Sequence, residues 1–238
     1  MTQLARSLIS PIAQALEEAL DIPDAAFDST VNSTPEELDA LWQDVREIYN
    51  EAAECEEHGQ DENAWGSGVI QMVLRRGIKP QTFLQVKNIQ TQNIDPCLLP
   101  RLPHKNALSK KVDYTFAFSI RHPQVKETYK NFWNASPDQT VSQTTDPFTK
   151  RVALFSGLEV KQSNGGNTEA LVQLAIWLAA GLEKIYVDGP IESLCASTRT
   201  YYGIFKLIDL VHKLSLYAQE VYWPWLRSEI FKPTMESD

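Results

Sequence analysis

The hydrophobic positions of this chain change period along its length. Over residues 34–57, Leu38, Leu41, Trp42, Val45, Ile48, Tyr49 and Ala52 recur every three to four residues, the stripe of an amphipathic helix. Thr34-Pro35-Glu36-Glu37 precedes it as a capping box with proline at the first helical position. Gly59 permits a break after about Glu57. An earlier short helix runs from Ser10-Pro11 to Asp21-Ile22-Pro23, and an acidic loop joins the two. A third helix, roughly Asp61 to Arg75, buries Trp65, Val69, Met72 and Val73. The period then falls to two. Phe83 to Ile89 is a predicted strand. In the next, Val112, Tyr114, Phe116, Phe118 and Ile120 alternate with Asp113, Thr115, Ala117 and Ser119, as a half-buried strand should. Residues 133–150 are polar, contain Pro137 and Pro147, and read as a long loop.

Val152 to Lys161 is the last predicted strand. Strict alternation puts Val152, Leu154, Ser156, Leu158 and Val160 on one face and Ala153, Phe155, Gly157, Glu159 and Lys161 on the other. Gln162 to Asn167 is a glycine-rich turn. Thr168 caps a helix from Glu169 to about Leu182 that is apolar nearly all round and so predicts burial. A final helix, about Thr200 to Tyr222, stops at Pro224. Helices, then a few strands, then helices predict an α/β protein of the α+β kind, a small sheet flanked by helices. Residues 1–35 read as an N-terminal helix and acidic loop, an appendage to a domain over 36–238.

Composition narrows the class. No run approaches the roughly 18 apolar residues of a membrane span. Residues 1–20 lack a secretory apolar core and carry Glu17 and Glu18, against a transit peptide. Cys55, Cys97 and Cys195 lie far apart, which fits reduced thiols in the cytoplasm or nucleus. The net charge of −9 argues against a polyanionic partner, but the charge is segregated. Residues 1–63 hold 16 acidic against 2 basic residues, and residues 75–130 hold 11 basic against 3 acidic. The basic middle either neutralises the acidic third within the fold or meets DNA or RNA through Arg101, Lys105, Lys110, Lys111 and Arg121.

The candidate chemistry lies on the second and third strands. Asp113 interrupts one, and Glu159 and Lys161 share a face of the other, about 6.6 Å apart. If those strands are neighbours, the two carboxylates approach closely and repel unless a proton or divalent cation lies between them. Mg²⁺ suits such a pair, because it takes a few carboxylate oxygens and keeps its waters. Lys161 is placed to stabilise a phosphoryl oxygen or position an attacking water. Gly157 leaves room on that face. Gln173, one turn into the following helix, and Glu62, at the start of the third helix, complete the candidate set. Each has a plainer reading. Glu-x-Lys on a strand is commonly a solvated ion pair, Gln173 an interior amide, and Glu62 a residue favoured by the helix dipole. His58, His104, His122 and His212 show no metal-ligand spacing.

The ordered series Glu62-Asn-Ala-Trp65, Lys110-Lys-Val-Asp113-Tyr114, Gly157-Leu-Glu-Val-Lys161 and Gln173-Leu-Ala-Ile-Trp177 resembles the PD-(D/E)xK nuclease superfamily, in particular its fungal branch. Ser197-Thr198, Gly203-Ile-Phe-Lys-Leu207 and Trp223-Pro-Trp225 extend the resemblance over about 41–225. It implies a restriction-endonuclease-like core with a small mixed sheet, ordered helix, three strands, helix, strand. It also implies Mg²⁺ or Mn²⁺ on Asp113, Glu159 and the Val160 carbonyl, Lys161 as the catalytic lysine, and Glu62 and Gln173 in support. The segment between Leu182 and Gly203 is short for the hairpin that branch carries. Three functions follow: metal-dependent phosphodiester hydrolysis of nucleic acid, the same fold turned to acid–base chemistry on a small organic substrate of a biosynthetic pathway, or a non-catalytic interaction module.

Overall fold

The computed structural model describes residues 34–78, 83–99, 111–161, 166–185 and 196–232. The expected helix after Ser10, the turn after Lys161 and the short segment before Gly203 lie wholly or largely outside them.

Helix α1, Pro35–Glu57, begins at the anticipated capping box. The Glu37 amide donates to Thr34 Oγ1 at 3.3 Å and the Thr34 amide to Glu37 Oε2 at 3.0 Å. Its buried stripe, Leu38, Trp42, Val45, Ile48, Ala52 and Cys55, follows the helical period. The next helix, α2, is α-helical over Glu62–Ala64, takes the wider π form over Trp65–Ile70, and returns to α over Gln71–Gly77. Asp61 caps it, accepting from the Ala64 amide at 2.9 Å.

Strands β1 (Leu84–Asn88), β2 (Tyr114–Phe118) and β3 (Leu154–Leu158) form an antiparallel sheet in that order. Tyr114 faces Asn88 on one side and Leu158 on the other. The alternation of β2 predicted one solvated face. Instead, all of Tyr114–Phe118 is buried, because the strand is central and covered on both sides. β3 departs from strict alternation as well. Phe116 pairs with Phe155 while Tyr114 pairs with Leu158, so Ser156 and Gly157 together oppose Thr115 in a bulge. Ser156 takes φ 65°, and its carbonyl accepts from Thr115 Oγ1 at 2.7 Å. Phe155 therefore packs with Leu158 and Val160 in the main core, not with Gly157.

Helix α3, Pro123–Ala135, was not read from the sequence. Its Tyr129 is fully buried, and the phenol accepts from the Ala153 amide at 2.7 Å, pinning the entry to β3. Helix α4 runs Asn167–Lys184 from Gly166, with no side-chain cap from Thr168. It is not buried all round: Ile176, Trp177 and Ala180 are buried, whereas Leu171 and Val172 stand 42% and 43% exposed. The last helix, α5, passes from Tyr201–Tyr217 through a π segment, Ala218–Tyr222, into Trp223–Glu229. Pro224 does not stop it. The wider π turn accommodates a ring that an unbroken α-helix would meet as a clash.

The main core lies between one face of the sheet and α2, α3 and α5, with Tyr114, Phe118, Tyr129 and Trp223 at its centre. A second cluster joins α1, α2 and α5 through Trp42, Val45, Val69, Val73 and Ile204. Gly77 lets α2 and α5 meet, since a Cβ there would overlap the Val211 side chain. On the other sheet face, α4 sets Trp177 against Ile89, Ile94 and Val112.

Candidate active site

Sheet register brings the acidic residues together. Asp113 immediately precedes β2 and Glu159 immediately follows β3, so the antiparallel pairing puts both at one end of the sheet. Asp113 is held by its backbone to both neighbours. Its amide donates to the Leu158 carbonyl at 3.0 Å, and its carbonyl accepts from Ile89 at 2.9 Å. Its side chain is equally fixed: Oδ2 accepts from the Val160 amide at 2.7 Å and Oδ1 from Gln90 Nε2 at 3.1 Å. A carboxylate oxygen with one donor keeps a second lone-pair site, so both oxygens remain able to bind a cation.

Glu159 and Lys161 leave the strand end on the α4 side, because Leu158 and Val160 point into the main core. Gly157 precedes them on that side. A Cβ there would lie 2.7 Å from the Trp177 ring, so only glycine lets α4 close over the sheet. The Glu159 side chain is 3% exposed, and its Oε1 accepts from Lys161 Nζ at 2.9 Å. The same ammonium reaches Glu62 Oε2 at 3.3 Å, tying the start of α2 to the site. Gln173, on α4, donates from Nε2 to the Lys111 carbonyl at 2.9 Å, two residues before Asp113. The structure thus gathers Glu62, Asp113, Glu159, Lys161 and Gln173, drawn from four elements distant in sequence.

The electrostatics follow from one ammonium among three carboxylates. Burial pushes the Glu159 carboxyl up to about 7; the Lys161 hydrogen bond opposes this, and the charges of Asp113 and Glu62 add to it. Burial works against the Lys161 ammonium, but the bonds and charges of Glu159 and Glu62 outweigh it and raise its pKa. Folding therefore favours the protonated Glu159. Its contribution to stability is fully present below the ordinary carboxylate range and is lost as pH rises through about 7. In chelator, the stability of the parent relative to Glu159→Gln should fall by about 2 kcal/mol between pH 5 and pH 8. Urea denaturation at the two pH values measures this, and an unchanged difference would contradict the assigned burial.

Among the described residues, two buried acceptors in this set, Glu159 Oε2 and Gln173 Oε1, have no hydrogen-bond partner. Orphaned buried oxygens beside a second carboxylate are the donor chemistry a hydrated hard cation satisfies. Among the described residues, no three His, Cys, Asp or Glu side chains converge as a ligand group. The fit is therefore to a two-carboxylate site that leaves the ion most of its waters, within the coordination habit of Mg²⁺.

Gln90 was missed in the sequence. It stands in a glutamine-rich loop just after β1, and nothing in its spacing marks it; only the pairing of Ile89 with Asp113 brings it to the carboxylate. Of the candidate nucleic-acid contacts, Arg101, Lys105 and Lys110 lie outside the described residues. Lys111 is beside the site, its Nζ 3.5 Å from the Thr91 carbonyl. Arg121 is not beside it. It follows the far end of β2, about 20 Å from Asp113 along an extended strand. Among the described residues, no helix is long and apolar enough to cross a membrane.

Residues 12–188 match the family model described as PD-(D/E)XK nuclease superfamily. No curated protein and no solved structure matches the chain.

Proposed function

Because this chain belongs to the PD-(D/E)XK nuclease superfamily, we propose that it hydrolyses phosphodiester bonds of DNA or RNA at the site built from Asp113, Glu159 and Lys161, with Mg²⁺ or Mn²⁺ as cofactor. The observation that carries this reading is the buried Glu159 carboxylate, with one oxygen on Lys161 and the other without a partner among the described residues, at the same sheet end as Asp113. Asp113, Glu159 and the Val160 carbonyl would hold the cation, which when bound supplies Lewis-acid polarisation of the phosphoryl group and a more acidic water.

The chain's own residues do the rest. Lys161 holds a positive charge where negative charge develops on a phosphoryl oxygen, at a position shielded enough from water for that charge to count. Glu62 is a second carboxylate anchor for the ammonium, beside Glu159. Gln173 fixes the Lys111–Asp113 segment and offers its free amide oxygen to a water. Asp113, bonded by Val160 and Gln90, has little freedom to reorient, so the site is preorganised.

Labelled oligonucleotides incubated with the protein in Mg²⁺, in Mn²⁺ and in chelator test the reading. Cleavage confined to the metal-containing reactions supports it. Intact oligonucleotides under every condition would remove it and leave acid–base chemistry on a small organic substrate at the same residues.

A further inference from the structure

A second cluster of charge stands apart from the candidate active site. Lys87 lies on β1 opposite Thr115, and its ammonium sits 4.5 Å from the centre of the Phe148 ring. Phe148 is 43% exposed although a large apolar residue, held on the turn that enters Thr149–Arg151. Arg121, just beyond β2, is exposed; burial of Lys87 itself and, after it, the Arg121 charge lower the Lys87 pKa, while the Asp146 charge opposes them. Among the described residues, neither Lys87 nor Arg121 has a carboxylate within ion-pair distance. The nearby acid, Asp146, is held by the Phe148 and Thr149 amides and the Thr149 hydroxyl on its Oδ1, and its charge acts on Lys87 without forming an ion pair. Lys150 adds a further positive charge beside it. Lys87, Arg121 and Lys150 together outnumber the one carboxylate of Asp146, and with an aromatic ring presented to solvent they match what a nucleic-acid strand requires: phosphates for the cations, a base for the ring.

We propose that Lys87, Arg121 and Phe148 form a binding surface for single-stranded nucleic acid, with a base stacked on Phe148 and the adjoining phosphates on Lys87 and Arg121. A single strand is favoured over a duplex because paired bases are already stacked and offer no free face to the ring. The identity of the ligand rests on the nuclease reading. Asp113 and Lys87 lie on the same sheet face, two residues apart in register, and Arg121 lies on the order of 20 Å from Asp113. A strand several nucleotides long that enters the active site would extend onto this surface.

Fluorescence anisotropy of a labelled oligothymidylate in chelator, where no cleavage intervenes, tests the surface. Phe148→Ala should weaken binding about 10-fold. Arg121→Gln should weaken it several-fold and reduce the salt slope by about one unit. Melting temperatures of the variants, both changed at exposed positions, confirm that they fold. Parental affinity in both variants would overturn the proposal. So would a duplex bound as tightly as the single strand with no effect of Phe148→Ala. Hydrolysis of a small phosphodiester by the parent with Mn²⁺ reads the active site separately. Binding without hydrolysis removes the nuclease reading and keeps the surface; hydrolysis with binding indifferent to both substitutions removes the surface alone.

Discussion

Lys161→Ala should lower phosphodiester hydrolysis by about 10²-fold or more, the effect of deleting one preorganised electrostatic group. Alternation sets Lys161 on the face away from Leu158 and Val160, so its removal costs little packing. The structure gives it more to do. Its ammonium is bonded to Glu159 Oε1 and also to Glu62. Without it, three carboxylates share one sheet end, and the buried Glu159 is driven to hold its proton at neutral pH. Protonation limits the damage to the fold, so the melting temperature should fall by only a few degrees while turnover collapses. A neutral Glu159 is also a poorer metal ligand, so the loss should ease on raising the pH. Rates at saturating Mg²⁺ between pH 7 and pH 9 separate the two effects. A variant that cleaves as fast as the parent would remove Lys161 from the mechanism.

Asp113→Asn should act first on metal binding. The substitution keeps the shape but removes the charge, and an amide has one acceptor oxygen where the carboxylate has two. The Val160 amide and the Gln90 amide then compete for it. Leaving one of these donors without its partner costs about 1–3 kcal/mol of stability. Losing a direct ligand should weaken the cation by more than the 10–100-fold expected for an outer-shell partner. Thermal denaturation across a Mg²⁺ or Mn²⁺ series reads both effects. The parent should melt higher as metal concentration rises, and the variant should start lower and respond little. A parent whose melting temperature ignores both metals would refute the two-carboxylate site.

What the sequence determined by itself is local. Thr34 and Glu37 announce the start of α1 because a capping box is complete within four residues. The three strands were legible because β-branched and aromatic residues alternate over short runs. Asp113, Glu159 and Lys161 stood out because charged groups occupied positions that such runs otherwise fill with apolar ones. Tertiary structure decided what depends on neighbours. β2 is buried on both faces because β1, β3 and the covering layers enclose it, which its own alternation does not record. The bulge at Ser156 shifts Phe155 into the main core because Thr115 pairs with two residues at once, a property of the β2–β3 register. α3 was overlooked although Val125, Tyr129 and Phe132 have helical spacing. Gln90 joins the site only through β1–β2 pairing. The pKa of Glu159 likewise belongs to the fold: its burial and its nearness to Asp113 and Glu62 come from residues 46 and 97 positions earlier in the chain, and long-range proximity is fixed by packing, which no local pattern encodes.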